Sequence, residues 1–224
     1  MTQTLPKLLT ETLITFEEFT NLDTGEKRYE LHSGVLVEMA QPIGEHENVT
    51  GFFIRKLSAR FENFDLPYFI APKVLVKPPG KDSGFFPDVL VLDKRNLVNE
   101  PLYRKESTVS QSATIPLVIE VVSTNWSDDY AFKFDEYSDI GIPEYWIVED
   151  TALDGFPGLK QVSVDYLGIG GKEFIGSPKE PTFTICELVN GQYVRTPLKS
   201  GAIQSKAFPE LNLTVEQIFN AAAF

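Results

Sequence analysis

The sequence predicts a mixed α/β (α+β) fold. Residues 45–64 place apolar side chains at the three- and four-residue spacing of one helix face. Several shorter segments, rich in Val, Ile, Leu and Phe and bounded by Pro, Gly or Asn, have the composition of strands. A chain of 224 residues without an internal repeat is expected to form a single domain over residues 1–224.

The composition is that of an ordinary globular protein, with 42% hydrophobic and 23% charged residues. Its longest apolar runs, such as residues 115–119, are far shorter than the roughly 18 residues that a membrane helix needs. The first residues lack the pattern of a secretion signal, so we expect a cytoplasmic protein with no membrane partner. Cys186 is the one cysteine and lies among apolar residues, which favours a buried thiol.

The charge balance is acidic, because 20 Lys and Arg against 32 Asp and Glu give a net charge of −12. Affinity for nucleic acid comes mainly from cations that neutralise phosphates, so this balance argues against a general basic surface. It does not exclude a local basic cleft. It also favours cation binding, because several carboxylates can meet only if a metal ion or a buried lysine offsets their repulsion.

The N-terminal part of the chain predicts a short helix, a hairpin and a long helix. Thr15 and Glu18 have the spacing of a capping box, which marks the start of a helix. Residues 29–39 alternate apolar and polar side chains around a turn at Ser33-Gly34, as a hairpin does. The long helix covers residues 45–64, and the apolar residues of its face are Val49, Phe52, Phe53, Leu57 and Phe61.

Four strands are predicted next, at residues 68–71, 74–77, 86–92 and 115–123. The last of them is nearly all apolar, which is typical of a strand buried on both faces. Glu120 is therefore out of place in the middle of this strand.

The C-terminal half predicts one more helix before further strands. Ser127 can cap a helix that runs to about residue 140, with Gly141 at its end. Residues 144–149 predict the strand that follows. Gly and Pro clusters in the remaining part indicate further antiparallel strands, and a short helix is expected at residues 215–222.

Two acids, Asp88 and Glu120, lie inside or beside apolar strands. Two carboxylates 4 Å apart would repel by about 4 kcal/mol at an effective dielectric of about 20, besides the cost of burying each. Such a pair implies a cation between them or a raised pKa for one of them. Asp129, Lys133 and Tyr137 are four residues apart, so they lie along one stripe of the predicted helix, and the lysine can supply part of the charge.

The ordered series of motifs resembles the Uma-two-like restriction endonucleases, a family of the PD-(D/E)XK nuclease superfamily. The superfamily signature is Pro-Asp, a spacer, and then an acid followed two residues later by Lys. Pro87-Asp88 and Glu120 match this signature, but Val122 stands at the lysine position. The family moves the lysine to the following helix, where this sequence has Lys133. The matching motifs are residues 29–39, His46, residues 87–89, residues 119–123, Asp129, Lys133, Tyr137 and residues 141–148.

The resemblance implies a restriction-endonuclease-like mixed central sheet flanked by helices. The nuclease core would cover about residues 12–150, and an additional antiparallel β region about residues 151–224. Asp88 and Glu120 would meet at adjacent strand ends and bind Mg²⁺, with Mn²⁺ as a substitute. Lys133 would orient the nucleophile or neutralise the transition state in the hydrolysis of DNA phosphodiester bonds. Analogy with nucleases that cut both strands predicts a homodimer.

Four more residues are candidates for the site or its surroundings: Glu30, His46, Asp129 and Tyr137. Alternation along the hairpin sends Glu30 to solvent, whereas the resemblance favours a metal or supporting role for it. His46 is equally well explained as an ordinary surface or core histidine. We expect Asp129 to stabilise the helix start and Tyr137 to pack with a hydrogen-bonded hydroxyl, both beside the site.

The residues also leave other interpretations open. Asp88 can be a turn acid, and Glu120 with Lys133 can be a buried structural ion pair. The protein would then be a non-catalytic interaction or nucleic-acid-binding module that keeps the nuclease fold. A third hypothesis is a metal-dependent hydrolase with another substrate, for which residues 155–194 form a lid or substrate surface.

Overall fold

The computed structural model describes residues 13–122, 132–149 and 181–222. Its helices are α1 (Phe16–Thr20), α2 (Gly44–Asn63), α3 (Tyr103–Glu106), α4 (Lys133–Ile140) and α5 (Val215–Ala222). Its strands are β1 (Tyr29–His32), β2 (Val35–Glu38), β3 (Tyr68–Ile70), β4 (Leu75–Val76), β5 (Val89–Asp93), β6 (Thr108–Val109), β7 (Leu117–Val122), β8 (Glu144–Glu149), β9 (Thr182–Val189) and β10 (Gln192–Leu198).

The main sheet has six strands in the order β10-β9-β8-β7-β5-β3. Its neighbouring strands are antiparallel except β7 and β8, which run parallel. The hairpin β1–β2 and the parallel pair β4–β6 form two small sheets beside it. Helices α2 and α5 share one hydrophobic core with the main sheet, and α4 shares the other. The predicted mixed central sheet flanked by helices is therefore confirmed.

Strand β7 accounts for the long apolar run in the sequence, because all of its residues are buried. Its odd-numbered residues, Leu117 to Val121, belong to the core beneath α2 and α5. Val118 and Val122 belong to the core beneath α4. Since side chains alternate along a strand, Glu120 projects from this second face, so a carboxylate lies in the core that α4 covers.

The predicted N-terminal elements are confirmed. Helix α1 starts with the capping box, in which Thr15 and Glu18 each bond the backbone N–H of the other. The turn between β1 and β2 has φ of 50° at Ser33 and 86° at Gly34, the positive values that a type I′ turn requires. The predicted apolar face of α2 is buried, at Val49, Phe52, Phe53, Leu57 and Phe61.

The strand predicted from residue 86 begins later, because β5 starts at Val89. Gly84 pairs instead with β1 and Phe85 with β4, each through backbone hydrogen bonds. The N–H of Phe86 then donates to the side chain of Glu30 at 2.9 Å. This departure from regular pairing links the hairpin to the start of β5.

Helix α4 ends as predicted at Gly141, whose φ of 86° lies in the left-handed region that glycine favours. Strands β8, β9 and β10 and helix α5 confirm the predicted elements in the described C-terminal ranges. The predicted helix start at Ser127 and the segment 150–180 lie outside the described residues. Among the helices of the described ranges, none combines the length and the apolar character that a membrane crossing requires.

Candidate active site

Asp88 and Glu120 lie at one end of two paired strands. Strands β5 and β7 are antiparallel with Val89 opposite Ile119, so one further step of the register puts Asp88 opposite Glu120. Asp88 accepts a hydrogen bond from the backbone N–H of Val121 at 2.7 Å, which ties its carboxylate to the residue next to Glu120. The two acids are therefore neighbours at this end of the sheet.

Glu120 is held by two side chains of α4. Its Oε1 accepts from Nζ of Lys133 at 3.2 Å and from the hydroxyl of Tyr137 at 2.9 Å. Lys133 and Tyr137 are one helical turn apart, so both reach the same carboxylate from the same face of α4. Glu120 is 2% exposed and Lys133 5% exposed, which makes this a buried ion pair. The structure thus brings the helix lysine to the second acid of the motif.

Glu30 is part of the same cluster, contrary to the alternation of the hairpin. Its Oε1 lies 3.2 Å from Nζ of Lys133 and also accepts the N–H of Phe86. Burial opposes its charged form, but Lys133, His32 and the Phe86 amide outweigh that effect and lower the pKa of Glu30. Glu38 on the same hairpin is exposed and pairs with Lys27. Glu38 lies opposite Tyr29 and so projects from the other face, whereas Phe85, Phe132 and Lys133 contact the face of Glu30 and His32.

His46 approaches Asp88 from α2, on the other side of the sheet. Its Nε2 lies 3.2 Å from Oδ2 of Asp88, and its Nδ1 lies 3.3 Å from Oε1 of Glu47. Burial lowers the pKa of His46, but the adjacent Asp88 and Glu47 outweigh burial and raise it. The sequence left open whether His46 lies near the site or is an ordinary surface or core histidine. In the structure it is buried and contacts Asp88, the first acid of the motif.

His32 joins the cluster although it was not among the predicted site residues. Its Nε2 lies 3.1 Å from Oε2 of Glu30, and its ring stacks on Phe132 with centroids 4.9 Å apart. The signal in the sequence was the spacing, since residues two apart on a strand share a face. Asp129, which was predicted to lie beside the site, falls outside the described residues.

The donor set suits a hard cation that keeps part of its water. No group of three or more His, Cys, Asp or Glu in the described ranges is arranged to hold a metal ion by itself. Mg²⁺ commonly takes one or two carboxylates and completes its shell with water and phosphate, so Asp88 and Glu120 fit it. The side chain of Asp88 is 22% exposed and has access to solvent. Glu30 and Glu120 share the single positive charge of Lys133, which leaves an excess of negative charge for a cation to balance.

Comparison of the fold finds a solved structure with a similar architecture. It is similar to the crystal structure of a protein from Anabaena variabilis ATCC 29413 described as "a putative nuclease belonging to DUF820". The TM-score is 0.66 and the sequence identity 15%, with 93% of this chain and 99% of that chain covered. No curated protein matches the chain.

A family profile matches most of the amino-acid sequence. The profile of the family Uma2, described as "Putative restriction endonuclease", matches residues 16–216. This range includes every residue of the cluster around Glu120. The chain belongs to the Uma2 family, which confirms the resemblance found in its motifs.

Proposed function

We propose that this protein is a metal-dependent endonuclease that hydrolyses DNA phosphodiester bonds, with Asp88, Glu120 and Lys133 as its working residues. One observation carries the proposal: Nζ of Lys133 lies 3.2 Å from Oε1 of Glu120. A lysine from the following helix thereby stands beside the second acid, where Val122 supplies none. Membership in a family described as "Putative restriction endonuclease" supports the same function.

The two acids of the site would be the ligands of a Mg²⁺ ion, with Mn²⁺ as a substitute. A bound ion of this kind lowers the pKa of a water molecule and stabilises the charge that develops on the scissile phosphate. Asp88 is oriented for this role by the Val121 amide on one oxygen and by contact with His46. Glu120 is oriented by Tyr137, whose hydroxyl donates to it at 2.9 Å.

Lys133 is the cation of the site, and Glu30 determines where its charge lies. The ammonium is 3.2 Å from one oxygen of Glu30 and 3.2 Å from one oxygen of Glu120. A cation held between two fixed carboxylates loses little further freedom when it orients a water molecule or meets a phosphate oxygen. Glu30 is thus a positioning residue, and the bonds of its oxygens to Phe86 and His32 fix it in turn.

Cleavage of supercoiled and single-stranded DNA tests the proposal directly. Wild type, Glu120→Ala and Glu38→Ala are compared in Mg²⁺, in Mn²⁺ and in EDTA. Glu38 is the matched control because it is an exposed acid of the hairpin whose loss changes the net charge equally. We expect cleavage that requires metal, disappears in Glu120→Ala and persists in Glu38→Ala. Metal-dependent cleavage by Glu120→Ala would contradict the assigned site.

A second candidate function is a non-catalytic module that keeps the nuclease fold. It is favoured by the net charge of −12 and by the ion pairs that already neutralise part of the acid cluster. Calorimetric titration with Mg²⁺ and Mn²⁺ separates it from the nuclease. Metal binding that is lost in Glu120→Ala supports the nuclease, whereas absent metal binding together with absent cleavage supports the module.

The proposed nuclease is a homodimer, so that two sites can address the two strands of a duplex. The outer strands β3 and β10 are the edges of the main sheet in the described ranges, and edges can pair between subunits. Light scattering at micromolar concentration checks this. A species with the mass of one chain throughout the concentration range would contradict it.

A further inference from the structure

Asp88 is held through one of its two carboxylate oxygens. Its Oδ2 lies 2.7 Å from the backbone nitrogen of Val121 and 3.2 Å from Nε2 of His46. The two oxygens of an ionised carboxylate offer roughly four lone-pair sites, so these two contacts take up the share of Oδ2. Among the described residues none forms a hydrogen bond or an ion pair with Oδ1. The contacts therefore divide the carboxylate into one engaged oxygen and one open oxygen.

The ring of His46 is itself fixed. It is 6% exposed in the first turn of α2, and its Nδ1 lies 3.3 Å from Oε1 of Glu47, so both ring nitrogens have a partner. Because an ionised carboxylate only accepts hydrogen bonds, Nε2 is the donor in the contact with Asp88. The amide of Val121 belongs to β7 and His46 belongs to α2. Oδ2 of Asp88 is thus fastened both to the sheet and to the helix that packs on it.

The number of oxygens that a carboxylate can offer distinguishes divalent cations. Ca²⁺ takes about 6–8 oxygen ligands in a flexible arrangement, and carboxylates that give both oxygens help to supply them. Mg²⁺ requires a nearly octahedral shell, keeps several waters, and takes its protein ligands from only one or two carboxylates. A carboxylate with a single open oxygen therefore suits Mg²⁺ better than Ca²⁺.

From this geometry we propose that His46 determines the metal preference of the site by keeping Oδ2 of Asp88 away from the ion. The inference rests on the proposed function, in which Asp88 is a metal ligand, and extends it to the choice of ion. Oδ1 is then the one oxygen that Asp88 gives to the cation. His46 acts through Asp88 and is a positioning residue that does not itself bind the ion.

Two substitutions of His46 form a matched pair. The amide nitrogen of Gln lies as many bonds from Cα as Nε2 of His, whereas the amide nitrogen of Asn lies only as far as Nδ1. His46→Gln can therefore donate to Oδ2 of Asp88 and His46→Asn falls short of it, although both new side chains are uncharged amides.

Thr50→Val is the control on the same helix. Thr50 lies one turn after His46 and is 8% exposed, and no hydrogen-bond partner of its hydroxyl is found among the described residues. Val has nearly the shape of Thr without the hydroxyl. This change therefore alters the buried side of α2 and leaves the contacts of Asp88 intact.

The test measures ion binding by the whole chain in the absence of DNA. Free Mn²⁺ is followed by electron paramagnetic resonance while MgCl2 or CaCl2 displaces it from the protein, which gives a dissociation constant for each competing ion. The readout is the ratio of the Ca²⁺ constant to the Mg²⁺ constant, because a change in local charge or in the folded fraction affects both ions alike.

We expect His46→Asn to lower this ratio about tenfold, since residues that hold a metal ligand contribute on the order of 10- to 100-fold to metal affinity. His46→Gln should keep most of the wild-type ratio, because its amide replaces the Nε2 donor. Thr50→Val should keep all of it.

Three outcomes overturn the inference: no Mn²⁺ binding by wild type, a wild-type ratio in His46→Asn, or an equal decrease in His46→Asn and His46→Gln. Cleavage of supercoiled DNA separates this failure from failure of the nuclease. If wild type cuts with Mg²⁺ but His46→Asn keeps the wild-type ratio, the role of His46 fails and the nuclease stands. If wild type does not cut although the ratio falls in His46→Asn alone, the nuclease fails and the selection of the ion by His46 stands.

Discussion

Glu120 and Glu144 are both buried carboxylates in neighbouring strands, yet their surroundings differ. Glu120 lies on the α4 face with Lys133 and Tyr137 as partners. Glu144 lies on the opposite face of the sheet and accepts from the Trp146 indole, the Ser205 hydroxyl and the Ala207 amide. In the described ranges no cation pairs with Glu144. The proposed function assigns catalysis to Glu120, whereas the contacts of Glu144 join strand β8 to residues 205–207 and support the fold.

The largest expected difference between the two acids is in cleavage. Glu120→Gln removes a ligand of the proposed metal ion, so we expect the rate of metal-dependent DNA cleavage to fall on the order of 100-fold or more. Glu144→Gln keeps an acceptor oxygen for its donors and lies on the other face, so its rate should stay within about twofold of wild type. Initial rates on supercoiled DNA measure both. An equal loss in both variants would mean that the buried charges matter only for folding.

Removing the shared cation should have the largest effect on stability. Lys133→Met leaves Glu30 and Glu120 buried without their ammonium partner, and breaking a buried ion pair costs about 3–5 kcal/mol. Denaturant unfolding in EDTA gives the change in the free energy of unfolding. The double variant Glu120→Gln/Lys133→Met should lose less than the sum of the single losses, because the two residues interact directly. Strictly additive losses would argue against the coupling.

Glu144, whose hydrogen-bond donors are neutral groups, should have a smaller effect on the free energy of unfolding, and this effect depends on pH. Burial raises the pKa of Glu144, although Ala207, Trp146 and Ser205 donate to it. A carboxyl whose folded pKa is above its unfolded value stabilises the fold fully below the unfolded pKa, near 4.5, and this contribution is lost as pH rises through the folded value.

Unfolding free energies near pH 4 and pH 7 check this sign. From the higher to the lower pH, wild type should gain stability relative to Glu144→Gln, by on the order of 1 kcal/mol per unit of pKa shift. Glu144→Ala should lower the free energy of unfolding by about 1–3 kcal/mol at either pH, because it leaves buried donors without an acceptor. A gain of wild type towards higher pH would show that the folded pKa of Glu144 is lowered.

The sequence was informative where local patterns determine the outcome. The capping box of Thr15, the turn at Ser33-Gly34 and the apolar face of α2 each depend on neighbours within a few residues, and each is confirmed. The position of Lys133 beside Glu120 was anticipated from the resemblance and the helical spacing. The first three features follow from local patterns that a single chain displays, whereas the resemblance implied that Lys133 takes the place of the missing motif lysine.

Contacts between residues far apart in the chain could not be predicted from the sequence. Alternation alone sent Glu30 to solvent, because no local pattern shows that Lys133 and Phe132, about 100 residues further along the chain, pack on that face of the hairpin. His32 was missed for the same reason. Glu144 was assigned only to the start of a strand, since its partner Ser205 is 61 residues away. Such buried polar clusters are determined by long-range packing and therefore need a structure.

The smallest expected effect concerns the core beneath α4, which contains Cys186. Burial raises the pKa of its thiol to about 12, and only the thiolate reacts with disulfide reagents. Native wild type and Glu144→Gln should therefore label slowly near pH 8, through rare opening of the structure. Lys133→Met should label several-fold faster, because Lys133 anchors α4 to the sheet over this core. Rapid stoichiometric labelling of wild type would show that the thiol is accessible, and equal rates in both variants would show that the two acid networks support the α4 core alike.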